Sequence, residues 1–139
     1  MSAAYETLEA GSRFELLSDV VTTQQLVRYA GASGDYNRIH YDLPYATEAG
    51  LGGVIAHGML TMAFMARAAT DWAGPRGRVL RIGARFTAPV RPGDAVHVSG
   101  SVLSKIRIGD AGEVRCTLEA DVAGRPVASG EVTVSLALA

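Results

Sequence analysis

Apolar and polar side chains alternate with a period of two in the second half of the chain. From Val114 to Val122 one face carries Val, Cys, Leu, Ala and Val, and the other carries charged or hydroxyl-bearing residues. Strict alternation is typical of a strand with one buried and one solvated face. Weaker alternation runs through residues 95–103 and 127–138, with turn residues between the segments. We therefore predict three or four antiparallel strands after residue 78.

Helical patterns dominate the first half. Thr22 and Gln25 have the spacing of a capping box, and we expect the helix that they begin to stop at Gly31 and Gly34. A second, short helix is predicted between residues 42 and 50, with Asp42 as its cap.

A third helix should begin near His57 and Gly58. Residues 59–69 leave it almost no polar face, and a helix that is apolar all round must be buried. A Gly and Pro cluster at residues 74–77 then separates the helical half from the strand half.

Length and composition fit one globular domain spanning residues 1–139. The 139 residues are 48% hydrophobic, and 13 Lys plus Arg against 14 Asp plus Glu give a net charge of -1. This balance argues against nucleic acid as a partner. The apolar runs are too short to span a membrane, and the N-terminus does not resemble a signal peptide. Because Cys116 is the single cysteine, we expect a reducing, cytoplasmic location.

A buried helix followed by long strands with one dry face predicts an α+β architecture. The curved antiparallel sheet would wrap around the long central apolar helix, an arrangement that resembles the hot-dog fold. The alternative is an open sheet with helices on one face, which would leave part of the third helix exposed.

Asp35 and His40 are the first candidates for chemistry. They lie five residues apart in a loop between two helices, where functional groups concentrate. A carboxylate and an imidazole can polarise one water molecule between them, which suits hydration and dehydration. The alternative is that Asp35 caps a turn and His40 is merely packed.

A second candidate is the start of the third helix. Its first amides have no intrahelical acceptors, so the amide of Gly58 could bind a thioester carbonyl and stabilise an enolate-like oxygen. The alternative is a glycine that only allows close packing, and His57 before it is expected to be held by a backbone carbonyl.

Three segments resemble a known family: SGDYNRIHYD at residues 33–42, GVIAHGML at 53–60 and RFTAPVRPGD at 85–94. They are similar to MaoC-like dehydratases and (R)-specific enoyl-CoA hydratases. In size and layout the chain is also similar to the catalytic subunit of (3R)-hydroxyacyl thioester dehydratases. The resemblance implies a single hot-dog domain and a lyase that reversibly hydrates trans-2-enoyl thioesters to (R)-3-hydroxyacyl thioesters.

The resemblance also implies roles for residues. Asp35 and His40 take the catalytic positions, and Gly58 takes the position whose amide holds the thioester carbonyl. Four further residues are expected at the substrate: Asn37, Ile55, His57 and Met59. Asn37 is also expected to brace the loop. The family usually has Pro where this chain has Arg38, which we expect to be a solvated surface side chain.

We expect the substrate to be a coenzyme A or acyl-carrier-protein thioester, with no metal and no cofactor. A hot-dog acyl-CoA thioesterase and a non-catalytic subunit of a heteromeric dehydratase are the alternatives. Because one such sheet leaves a free edge strand and an open groove, we expect a homodimer.

Overall fold

A five-stranded antiparallel sheet and three α-helices make up residues 2–139, the part of the chain that the computed structural model describes. Single 3-10 turns lie at Tyr5–Thr7 and Arg38–His40. In chain order the main elements are β1 (Arg13–Leu17), α1 (Thr23–Ser33), α2 (Leu43–Glu48), α3 (Gly58–Ala73), β2 (Arg78–Phe86), β3 (His97–Ile108), β4 (Ala111–Val122) and β5 (Arg125–Ala137).

Side-chain caps fix the starts of α1 and α2 where the sequence predicts them. Thr22 Oγ1 accepts from the amide of Gln25 at 3.1 Å, and Asp42 Oδ1 accepts from the amide of Tyr45 at 3.1 Å. The expected stop of α1 at Gly31 is wrong, because Gly31 lies inside the helix. The helix ends at Gly34, whose φ of 75° is the left-handed conformation that glycine adopts without strain.

The sheet order is β1-β3-β4-β5-β2, so β1 and β2 are its edges. The strand β1 was not predicted, because only Phe14 of its five residues is buried. Phe14 pairs with Gly100 of β3 and stacks on Trp72 with ring centroids 4.4 Å apart. A side chain at position 100 would collide with the Phe14 ring, so this glycine allows β1 to join the sheet.

One face of the sheet packs against α3, which contacts all five strands. The helix buries Leu60, Thr61, Phe64, Met65, Ala68, Ala69 and Ala73. Full burial of a side chain such as Met65 contributes about 1.5–3 kcal/mol.

The prediction that α3 is buried on every side is wrong. Met59, Ala63 and Arg67 are exposed on the side turned away from the sheet, where Arg67 pairs with Asp71 at 3.4 Å. A sheet covers only one side of a helix, so apolar composition alone overstates its burial. No helix within residues 2–139 has the length and hydropathy of a membrane span.

Candidate active site

The loop between α1 and α2 is held by its own side chains. Ser33 Oγ accepts from the amide of Asp35 at 3.1 Å, Asp35 Oδ1 accepts from the amide of Asn37 at 3.1 Å, and Asn37 Oδ1 accepts from the amide of Ile39 at 3.2 Å. Such local bonds from Ser, Asp and Asn fix turns in preference to helix. Oδ1 of Asp35 is therefore used in a hydrogen bond within the loop, whereas Oδ2 makes no bond to the loop backbone.

His40 is anchored at the end of this loop. Its side chain is only 7% exposed, and Nδ1 lies 2.7 Å from the backbone oxygen of Ile55. Because a carbonyl only accepts, Nδ1 carries a hydrogen, and Nε2 is the ring nitrogen left to face the carboxylate. Nε2 lies 3.8 Å from Oδ2 of Asp35.

This gap between Asp35 and His40 is too long for a direct hydrogen bond. A water molecule fits between two such atoms at about 2.8 Å from each, a normal hydrogen-bond distance. The Asp35 side chain is 53% exposed, so the gap opens to solvent on the carboxylate side. Asp35 and His40 can therefore both hydrogen-bond to one water molecule.

His57 lies beneath the pair. Its ring stacks on His40 with centroids 3.7 Å apart and planes 21° apart. Its Nε2 donates to the backbone oxygen of Asp35 at 3.1 Å, which confirms the expected anchoring by a carbonyl. Burial, with a smaller contribution from neighbouring His40, lowers the pKa of His57 below its usual value, so the ring is neutral at neutral pH.

The three side chains also bring potential metal-ligating atoms within 4.8 Å of one another. Ring geometry opposes ligation, because imidazole lone pairs lie in the ring plane and His40 and His57 are nearly parallel. Two stacked rings cannot direct both lone pairs at one ion about 2.1 Å away. The arrangement suits hydrogen bonding by the two imidazoles instead.

Gly58 begins α3 directly after His57. Its amide has no intrahelical acceptor and carries the positive end of a 16-residue helix dipole. A Cβ at this position would lie 2.9 Å from Cε2 of Phe86, so glycine lets the aromatic ring approach the helix start. Phe86 itself is 46% exposed.

An apolar cleft of about 360 Å³ extends from this helix start. It runs between α3 and the segment that follows β2. Its lining residues are Leu51, Ile55, Ala56, Gly58, Thr61, Phe86, Ala88, Pro89 and Val90. The cleft places apolar surface beside the free amide of Gly58, as an acyl group held by its carbonyl requires.

Residues 7–124 match the family described as "MaoC like domain". The chain belongs to this family. Its MaoC-like domain is 31% identical over 133 residues to the 3-hydroxybutyryl-CoA dehydratase of Methylorubrum extorquens, covering 95% of this chain and 83% of that protein. It is 30% identical over 131 residues to the (R)-specific enoyl-CoA hydratase of Rhodospirillum rubrum, covering 94% and 89% of the two chains.

Among solved structures, the MaoC-like domain is similar to the unliganded R-hydratase of Pseudomonas aeruginosa. The TM-score is 0.87 and the identity 33%, covering 98% of this chain and 86% of that one. The fold is therefore α+β and of the hot-dog type.

The structure brings most of the residues singled out from the sequence together. Asp35, His40 and His57 form one cluster, Gly58 follows it, and Ile55 contributes a carbonyl to His40 and its side chain to the cleft. Two others lie further out. The Asn37 amide oxygen is occupied by the loop, and Met59 is exposed on the free side of α3.

Arg38 is a surface side chain, as expected, and 58% of it is exposed. Its guanidinium pairs with Asp42 at 2.7 Å and lies 4.5 Å from the Tyr45 ring centroid. These contacts hold the turn in which the family usually has Pro. The pKa of Asp42 is lowered by its capping bond to the Tyr45 amide and then by Arg38.

Sequence reasoning missed two residues. Phe86 covers Gly58, and Tyr29 of α1 packs against His57 with ring centroids 4.8 Å apart. Phe86 lies within a segment that resembles the family, but nothing local marks it as a neighbour of the helix start.

Proposed function

We propose that this MaoC-like domain is a hydro-lyase. It adds water to trans-2-enoyl thioesters, giving (R)-3-hydroxyacyl thioesters, and it also runs the reverse reaction. The observation that carries the proposal is the open 3.8 Å gap between Oδ2 of Asp35 and Nε2 of His40, next to the start of α3. Relatives named as an enoyl-CoA hydratase and a 3-hydroxybutyryl-CoA dehydratase support it.

In the proposed reaction Asp35 and His40 act as one acid and one base. The base takes a proton from the water held between them, and the oxygen of that water bonds to the β carbon of the enoyl group. The double-bond electrons move to the thioester, and the acid delivers a proton to the α carbon. One proton enters the pair and one leaves it, so the pair ends the reaction with the number of protons it started with.

We propose that the amide of Gly58 holds the thioester oxygen. Negative charge grows there as the β carbon is attacked, and a fixed N–H at a helix start stabilises it without reorganisation. The acyl chain would then lie in the apolar cleft, where Ile55 already lines one wall.

The other three residues expected at the substrate differ in exposure, and we propose a different role for each. Met59 is exposed on α3 next to Gly58, where it can contact the thioester or its carrier. Asn37 acts through the loop, because its amide oxygen fixes the turn before His40. His57 is only 1% exposed and therefore has a different role, which is argued below.

The direct test follows the enoyl absorbance of a short trans-2-enoyl-CoA with the wild type, Asp35→Asn and His40→Ala. Loss of a general acid or base costs about 10²- to 10⁴-fold in kcat. His97→Ala is the matched control, because His97 lies in β3 outside the site, and we expect its activity to be unchanged. Equal turnover by all four proteins would show that the assignment is wrong.

The same reaction mixtures separate hydration from the alternative thioesterase activity. A thioesterase would release free coenzyme A, which a thiol reagent detects. Burial raises the pKa of the single cysteine thiol, Cys116, to about 11, so the folded protein adds little background. We expect hydration without thiol release. Comparing coenzyme A with carrier-protein thioesters of one acyl group then identifies the carrier.

We propose that the active form is a homodimer. The edge strand β2 exposes Leu80 and Phe86, and the loop after Asp35 exposes Tyr36 and Tyr41. A second copy could cover these exposed apolar side chains. Analytical ultracentrifugation should show a dimer at micromolar concentration. A monomer that has full turnover would contradict the proposed homodimer. Turnover only after a second, different chain is added would instead favour the subunit alternative.

A further inference from the structure

His57 touches both members of the proposed catalytic pair with one ring. Its Nε2 donates to the backbone oxygen of Asp35 at 3.1 Å, and its face stacks on the ring of His40 at 3.7 Å. Asp35 and His57 are far apart in sequence, so this bond ties the loop to the start of α3. Tyr29 packs on His57 from α1 and restricts the ring further.

The hydrogen-bond pattern also fixes the tautomer of His57. A carbonyl only accepts, so Nε2 carries the hydrogen and Nδ1 carries a lone pair. Nδ1 is buried and has no hydrogen-bond partner among residues 2–139. Protonation there would place an unpaired buried charge against His40, so the ring stays neutral.

We propose that His57 is a positioning residue for the Asp35–His40 pair. It holds Asp35 through the backbone carbonyl and His40 through the stacked ring, and so it sets the gap in which water is bound. Because it stays neutral, it does this without competing for the proton that the reaction moves. The inference rests on the proposed hydratase activity and adds a residue whose side chain has almost no surface for a substrate.

Two substitutions separate the two contacts. His57→Phe keeps a planar ring to stack on His40 but removes the donor to Asp35, whereas His57→Gln keeps an N–H donor but removes the ring. A misplacement of about 1 Å costs up to about 100-fold in rate, so we expect kcat to fall about 10- to 100-fold with KM nearly unchanged. The midpoints of the pH profile of kcat/KM should move as well, because the gap sets the coupling within the pair.

His97→Phe and His97→Gln are the matched controls, because they make the same changes at a histidine outside the site. All variants are compared per folded molecule, using circular dichroism and thermal melts. A loss in either His57 variant supports the proposal and shows which contact acts. A purely structural role would lower the melting temperature but leave kcat and the pH midpoints at their wild-type values, and that result overturns the proposal.

Nitrogen NMR of the wild type gives a test that needs no variant. We expect His57 to stay neutral, with its hydrogen on Nε2, to a lower pH than a free histidine, whose pKa is about 6.5. Protonation of His57 at or above the pH at which a free histidine titrates overturns the inference. A wild type that turns over no enoyl thioester is a distinct outcome, because it rejects the proposed function while the NMR result still reports on His57.

Discussion

Two histidines of this protein face carboxylates, and they do so in opposite ways. On the outer face of the sheet, His97 Nδ1 lies 2.8 Å from Asp121 Oδ1, and Nε2 lies 3.6 Å from Glu15 Oε2. In the loop, His40 and Asp35 stay 3.8 Å apart. His40 directs its other nitrogen to a backbone carbonyl instead of a second carboxylate.

This difference separates an ion pair from a site that can bind water. Asp121 bonds directly to Nδ1 of His97 at 2.8 Å, and this bond is the chief cause of the raised pKa of His97. No room for a water molecule remains between these two atoms. His40 keeps Nε2 free next to a half-exposed carboxylate. The comparison shows that the spacing between His and Asp, rather than their presence, decides what the pair can do.

Among the substitutions that test this comparison, Asp35→Glu should have the largest effect, because it converts the open pair into a closed one. The extra methylene lets the carboxylate reach Nε2 of His40, as Asp121 reaches His97, and so displaces the water. We expect kcat for enoyl-CoA hydration to fall about 100-fold, which is the scale of a 1 Å misplacement.

Glu15→Asp is the matched control for Asp35→Glu, since it alters carboxylate length at the other histidine. It should leave turnover unchanged. Near wild-type kcat in a correctly folded Asp35→Glu protein would show that the gap does not matter.

Gly58→Ala should have a smaller effect, and it should lower activity without lowering stability. The new methyl group would press on the Phe86 ring, which is partly exposed and can swing into the cleft. We expect kcat/KM to fall about 10-fold, since small misplacements at a binding amide are costly. The melting temperature should hold or rise, because alanine favours a helix over glycine.

Gly83→Ala in β2 is the control for Gly58→Ala, because a Cβ there meets nothing within 4 Å. Adding Phe86→Ala to Gly58→Ala should restore part of the activity by removing the clash. No recovery in the double variant would show that the methyl group acts on the amide rather than through Phe86.

The sequence-based predictions that the structure confirms depend on residues that are close together in the chain. The caps Thr22 and Asp42 and the start of α3 after His57 depend on residues within one helical turn. Period-two alternation likewise marked β4, because its buried and solvated faces differ along the whole strand.

Contacts between distant segments could not be predicted in the same way. The bond from His57 to the Asp35 carbonyl, the bond from His40 to Ile55 and the Phe86 ring over Gly58 all depend on the folded backbone. The distance between Asp35 and His40 follows from these contacts, so their spacing in sequence could not give it.

Replacing His97 with Gln should have the smallest effect, on stability alone. The folded state raises the pKa of His97, so its ion pair stabilises fully below the unfolded value of about 6.5 and fades as pH rises through the folded value. The bond to His97, and then the Gly124 amide, lowers the pKa of Asp121, so the carboxylate's contribution fades only as pH falls below about 4. Because His97 is about a third exposed, we expect the free energy of unfolding of the wild type to exceed that of His97→Gln by at most about 1 kcal/mol between about pH 4 and 6.5.

Urea unfolding at a series of pH values measures this difference in stability. A difference that grows above pH about 7 would contradict the assignment of a closed ion pair.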